Sequence, residues 1–303
     1  MPSVKNLTAS VRDRLFAQAK ENGRPFNELL QYYAMERFLY RLAKSKYAGR
    51  FILKGALMLQ VWQSPESRPT MDIDLLGTTS NDEAKITGQV REILSIEVEP
   101  DGLHFDATSI RAERITEDAE YQGLRVRFRG SLRTAKINMQ LDIGFGDVVY
   151  PEPEVSRYPN ILDFPAPRLL CYSRESAIAE KLEAMIKLGE LNSRMKDFYD
   201  IWMLARQFDF DSASLVEAIR KTFNRRQTDL PVSVAALSKQ FGEVKQTQWN
   251  AFRKRLDFDY VPVAFDDVLR LLRIFLEPLI ATVRSAGTPS SKWTAGGPWR
   301  EPL

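Results

Sequence analysis

Two aspartates one residue apart, Asp72 and Asp74, sit in an apolar alternating stretch that reads TMDIDLLG. On a β-strand, residues i and i+2 point the same way. Asp72 and Asp74 then share one face with Arg68 and Thr70, while Met71, Ile73 and Leu75 share the other. The two carboxylates would stand roughly 6–7 Å apart along the strand. Like charges repel, and ionised carboxylates enter an apolar setting only at a cost, so a chain that keeps such a pair needs a cation for it. Oxygen donors of this kind suit Mg²⁺ or Mn²⁺. A third acid comes from INMQLDIGFGD, where Asp142 lies between Leu141 and Ile143 and follows Asn138 and Gln140 on one face. Three carboxylates on neighbouring strands can hold two metal ions, which clamp the attacking and leaving oxygens of a phosphoryl substitution. Asp147, after Gly146, falls in the loop beyond.

Upstream lies the turn Lys54-Gly55-Ala56, read as the start of an apolar helix. Backbone N–H groups at a glycine turn opening a helix can hold an anion such as a triphosphate. A further cluster, ESAIAEKLEAMIKLGELNSRMKDFYDIWML, reads as two helices. Ile178, Leu182, Met185 and Ile186 form the stripe of the first, with Lys181 beside it. On the second, Asp197 and Asp200 share a side, and Lys196 can pair with Asp200. Arg220, Lys221, Arg225, Arg226, Arg253, Lys254 and Arg255 cluster in the helical half, with Phe223, Trp249 and Phe252 interleaved. They read either as a solvated face over core aromatics or as a phosphate track for RNA.

These groups need a scaffold, and the chain is long enough for one: 303 residues, 44% hydrophobic and 27% charged. A net charge of +3 excludes a protein that binds nucleic acid by bulk charge alone. The single cysteine, Cys171, excludes an intrachain disulfide and reads as a small buried hydrophobe. The single histidine, His104, leaves no histidine-rich metal site and reads as structural or surface-exposed. With no signal-peptide core and no long apolar window, the expected location is the cytoplasm, away from membranes.

Helices are expected over residues 8–50, with a Thr8 or Ser10 cap, a stop at Gly23 and a second start at Pro25. Arg37, Arg41, Lys44 and Lys46 are expected on the surface of that second helix. Residues 82–96 read as a helix, and the alternating segments from Leu103 to Asp147 read as strands. A proline-rich passage, YPEPEVSRYPNILDFPAPR, marks a lobe boundary. Helices follow at 173–190, 193–207, 212–223 and 264–285. The expected fold is α+β with a small mixed sheet. N-terminal helices and this lobe would occupy residues 1–165, a helical lobe 166–285 and a disordered tail 286–303.

The order LKGALML…RPTMDIDLL, INMQLDIGFGD and EKLEAM…SRMKDFYDIWML resembles the AbiEii-type nucleotidyltransferases, toxins of bacterial type IV toxin–antitoxin pairs similar to the MenT toxins. The likeness runs from the N-terminal helices to about residue 280. It implies a polymerase-β-like lobe and a helical C-terminal lobe. It also implies Mg²⁺-dependent transfer of a nucleoside monophosphate from a nucleoside triphosphate to an acceptor, the 3′ end of tRNA in MenT-like relatives, and a cognate antitoxin. Residue by residue, Gly55 and Ala56 match the phosphate-loop pair, Asp72 and Asp74 the metal carboxylates, and Asp142 the third position. Lys181 matches the triphosphate lysine, and Asp197 or Asp200 the downstream aspartate. Lys54, Arg68 and Thr70 join the expected nucleotide site. The usual loop pair is Gly-Gly or Gly-Ser, so Ala56 loses a hydroxyl and resists positive φ. Two rival readings are a nucleotide-binding module without turnover and transfer of nucleotide or phosphate to a protein hydroxyl.

Overall fold

The computed structural model describes residues 4–65, 68–118, 121–256, 258–287 and 290–301. It divides into two compact units, Met1–Gly146 with Glu154–Tyr172, and Asp147–Pro153 with Ser173–Leu303. The architecture is α+β with a mixed sheet.

In the first unit α1 (Val4–Glu21) and α2 (Phe26–Lys44) lead into β1 (Phe51–Lys54). A 3₁₀ turn (Gly55–Leu57) and a single α-helical turn, α3 (Met58–Val61), come next. Then follow β2 (Ile73–Gly77), α4 (Glu83–Leu94), β3 (His104–Asp118), β4 (Tyr121–Leu132), β5 (Ala135–Phe145), β6 (Glu154–Arg157) and β7 (Arg168–Cys171). The seven strands form one sheet in the order β3-β4-β5-β2-β1-β7-β6. Its centre is mixed: β1 runs antiparallel to β2, while β2 runs parallel to β5.

Several expectations shift. The first helix begins at Val4, so Thr8 and Ser10 lie inside it. Pro25 does precede the second helix. Arg37 and Arg41 are 1% and 7% exposed rather than on the surface. The segment before Leu103 and the proline-rich passage cover α2 and supply partners. Arg41 forks onto Asp101 at 2.7 and 3.2 Å. Arg37 lies 2.7 Å from Glu36 and donates to the Pro165 carbonyl at 2.6 Å. Burial pushes the Glu36 carboxyl up to about 7, against the pull of Arg37. Cys171 is buried, and its thiol is pushed up to about 12 by desolvation, which makes it an inert hydrophobe. His104 opens β3 on an exposed edge.

The second unit holds α5 (Arg174–Leu188), α6 (Met195–Gln207), α7 (Ser212–Arg226), α8 (Lys239–Leu256) and α9 (Phe265–Arg284). Ser173 caps α5 by accepting from Ser176 N, and Asp211 caps α7 by accepting from Ala213 N and Ser214 N. The helix α8 is absent from the sequence expectation. Its charged residues mask an apolar stripe of Phe241, Trp249, Phe252 and Leu256, of which Trp249 stacks on Phe265 at 4.9 Å. The tail also differs from the disordered segment expected. Its described residues include β9 (Lys292–Trp293) and β10 (Trp299–Arg300), which join β8 (Phe210–Asp211) in a second sheet. Trp293 is 1% exposed, and Trp299 stacks on Phe275. Two tryptophans supply apolar surface that a Gly- and Pro-rich composition conceals. Among the described residues no helix is long and apolar enough to cross a membrane.

Candidate active site

The strand β2 begins at Ile73, so Asp72 sits in the bend just before it and Asp74 within it. Met71, expected on the core side with Ile73 and Leu75, is 57% exposed because the alternation starts only at the strand. Parallel pairing places Asp74 directly opposite Asp142 on β5. Ligand oxygens of Asp72, Asp74 and Asp142 all lie within 4.8 Å of one another, and each residue is half-buried. Three hard oxygen donors converging in this way fit a divalent Mg²⁺ or Mn²⁺ ion. Thr70 fixes the first of them, donating from Oγ1 to Asp72 Oδ1 at 2.5 Å. Thr70 is itself held by Tyr32, whose hydroxyl accepts from Thr70 N at 2.9 Å.

The turn after β1 fits against this cluster. Lys54 pairs in register with Asp74, so Gly55 comes beside the Asp74 side chain. Gly55 has φ +71°, and a Cβ there would lie 1.9 Å from Asp74 Oδ2. Glycine is required twice over, for its backbone and for the room it leaves a carboxylate. The helix expected after it is only a 3₁₀ turn and one α-helical turn, so a helix dipole adds little. Ala56 lies in that 3₁₀ turn, outside the positive-φ residues, so alanine brings no backbone strain. Lys54 Nζ lies 5.0 Å from the Tyr172 ring centroid. Arg68 is half-buried in the segment leading to Thr70. Gly55→Ala is expected to push Asp74 out of the cluster. Mn²⁺ titration should show affinity lowered by at least tenfold, with a cost of roughly 1–3 kcal/mol in folding stability.

Sequence reading missed Arg125. It sits opposite Asp142 across β4 and β5 and grips it with two bonds, Nε to Oδ1 at 2.8 Å and Nη2 to Oδ2 at 2.7 Å. Gln140 Nε2 donates to the same carboxylate at 3.3 Å. The hydrogen bond to Asp142 raises the Arg125 pKa, with further help from Glu113 and Asp72. An arginine fork fixes the orientation of the Asp142 carboxylate toward the other two acids.

In the second unit Lys181 on α5 meets both expected aspartates of α6. Its Nζ is 2.9 Å from Asp197 Oδ1 and 2.9 Å from Asp200 Oδ2. Asp197 and Asp200 are 1% and 2% exposed. Arg194 Nε approaches Asp197 Oδ2 at 2.7 Å, a charge contact without hydrogen-bond alignment. Burial alone would push the Asp197 carboxyl up, but Lys181 and Arg194 outweigh it and hold it low. The three residues named together from sequence therefore form one network. Lys196 is exposed and lies outside it.

The proposed basic track fares otherwise. Arg220 donates to the Gly287 carbonyl and Arg253 to the Val261 carbonyl. Arg226 is enclosed by Asp147, Glu180 and Glu183. These cations hold their own chain together.

The family model for the nucleotidyl transferase AbiEii toxin of type IV TA systems matches residues 37–271. Two crystal structures from Helicobacter pylori are similar to the chain, each at 15% identity. One is of a candidate nucleotidyltransferase, with a TM-score of 0.45, covering 85% of this chain and 96% of that one. The other is of JHP933, with a TM-score of 0.44, covering 86% and 97%. No curated protein matches.

Proposed function

The chain belongs to the AbiEii nucleotidyltransferase toxin family of type IV toxin–antitoxin systems, and from that premise we propose a metal-dependent transfer of a nucleoside monophosphate to the terminal hydroxyl of an RNA, the tRNA 3′ end first among the acceptors. As a nucleotidyltransferase it is an enzyme, not a binding module, and its donor is a nucleoside triphosphate. As a type IV toxin it is one half of a pair with an antitoxin.

The convergence of Asp72, Asp74 and Asp142 within 4.8 Å carries the reading. These carboxylates would hold Mg²⁺ or Mn²⁺. Bound there, the ion would supply charge neutralisation for the reacting oxygens. The chain's own residues do the positioning. Thr70 fixes Asp72, the Gly55 backbone makes room for Asp74, and Arg125 orients Asp142. Lys54, Arg68 and the Gly55-Ala56 amides face the triphosphate in this proposal. Lys181, paired with Asp197 and Asp200 at 2.9 Å each, matches the lysine that the family resemblance assigns to triphosphate. In the step itself the acceptor oxygen bonds the α-phosphorus, the bond from that phosphorus to the β-bridging oxygen breaks, and pyrophosphate leaves. The hydroxyl proton passes to solvent. Positioning and charge carry the rate.

The test is incubation with α- or γ-labelled nucleoside triphosphates, Mg²⁺ and total RNA. The expected result is RNA labelled from the α position only, abolished by EDTA. Label on protein, or label from the γ position, would replace this reading with one of the rivals.

A further inference from the structure

We infer that the polar face of β3, β4 and β5 is the track along which the acceptor RNA's phosphate backbone approaches the carboxylates. The inference rests on the RNA-transfer reading and names where that substrate lies.

A cavity of about 790 Å³ begins at Met71 and Asp72 and extends over this face. Four cations line it, Arg111, Arg127, Arg129 and Lys136, against one acid, Asp72. Strand alternation explains the clustering. Arg127 and Arg129 are i and i+2 on β4, paired with Gln140 and Asn138 of β5, and Arg111 of β3 pairs with Arg127. Two cations along one strand stand about 6.7 Å apart, comparable to successive phosphates on an extended polynucleotide. The cations are outward and available. The side chains of Arg127 and Arg129 are 50% and 66% exposed, and Lys136 is exposed with no ion pair among the described residues. The pairs of Arg127 with Glu113 at 2.7 Å and of Arg129 with Asp106 at 3.5 Å are surface pairs that a phosphate can displace at little cost.

Topology settles which substrate this face receives. In the order β3-β4-β5-β2-β1, the groove and the Gly55 turn flank the Asp74–Asp142 pair on opposite sides. An in-line displacement needs its attacking and leaving oxygens on opposite sides of phosphorus. With the triphosphate at the Gly55 turn, the acceptor enters from the arginine face. The groove offers charge without exposed aromatic stacking platforms among its lining, so it tracks the backbone rather than reading bases.

The test compares the wild type with the triple variant Arg127→Gln/Arg129→Gln/Lys136→Gln, using a single-stranded RNA and the labelled-transfer assay. RNA affinity by fluorescence anisotropy should fall at least tenfold in salt of about 0.15 M. The log–log salt slope should become shallower by about 2. KM for RNA should rise, with KM for the nucleotide unchanged. Lys136→Glu, at a residue with no ion pair among the described residues, gives the same directions if the triple variant folds poorly. Transfer to RNA by the wild type together with unchanged RNA affinity and slope in the variants overturns the groove and leaves the function standing. Loss of antitoxin binding with RNA binding intact overturns it in favour of a protein interface. A wild type that labels no RNA overturns both readings.

Discussion

Replacing Asp74 with Asn lowers nucleotidyl transfer by on the order of 10³-fold while leaving the fold intact. Asn matches Asp in shape, so the niche against Gly55, where a Cβ would meet Asp74 Oδ2 at 1.9 Å, is filled as before. What changes is charge. Asp74 faces Asp142 in register and lies within 4.8 Å of both other acids. Without a metal, this is a site of mutual repulsion, and neutralising its central member relieves part of it. The melting temperature of the metal-free variant should therefore equal or exceed that of the wild type. With Mn²⁺ at 100 times its dissociation constant, the wild type should gain about 2.7 kcal/mol, and the variant should gain almost nothing. A variant with wild-type turnover would remove Asp74 from the chemistry. A variant that lost turnover but kept the full metal-induced stabilisation would move its role from metal holding to something else.

The carboxylates were legible because acids inside an apolar alternation are costly and therefore informative. Their register was not, since nothing local sets the parallel pairing of β2 with β5. Arg125 was within reach. The turn at Arg133 and Thr134 is a two-residue connection, with Leu132 opposite Ala135, and counting back along both strands puts Arg125 opposite Asp142. Read alone, LRVRFRG looks like an ordinary solvated face. The glycine at 55 was legible as a turn but not as a space for a neighbouring carboxylate, which is a tertiary fact. The tail and α8 were missed because local composition hides tryptophans whose partners are distant. Burial of cations was the least legible feature. Arg37, Arg41 and Arg226 carry the same side chain as the exposed Arg129, and only the segments covering them decide which is core.

Arg226→Met separates those two fates by experiment. The sequence offered Arg226 as part of a phosphate track, yet its guanidinium is enclosed within the second unit. Nη1 lies 2.7 Å from Glu183 Oε2, Nη2 lies 3.0 Å from Asp147 Oδ1, and Nη2 lies 3.6 Å from Glu180 Oε2. Thr228 adds a bond to Glu183 Oε1 at 2.6 Å. Burial opposes the charge, but Glu180, Asp147 and Glu183 outweigh it and push the guanidinium's pKa further up. Methionine matches the length of the stem and removes the one charge that Asp147, Glu180 and Glu183 share. Breaking a buried pair from one side costs about 3–5 kcal/mol, and with three acids on one arginine the upper end is expected. Urea denaturation should show that loss as a lowered midpoint with little change in slope. Arg226→Lys should recover only part of it, because an ammonium cannot span the fork. RNA affinity of the folded variant at low temperature should match the wild type in both strength and salt slope. An unchanged midpoint combined with weakened RNA binding would return Arg226 to the surface role its sequence context suggests.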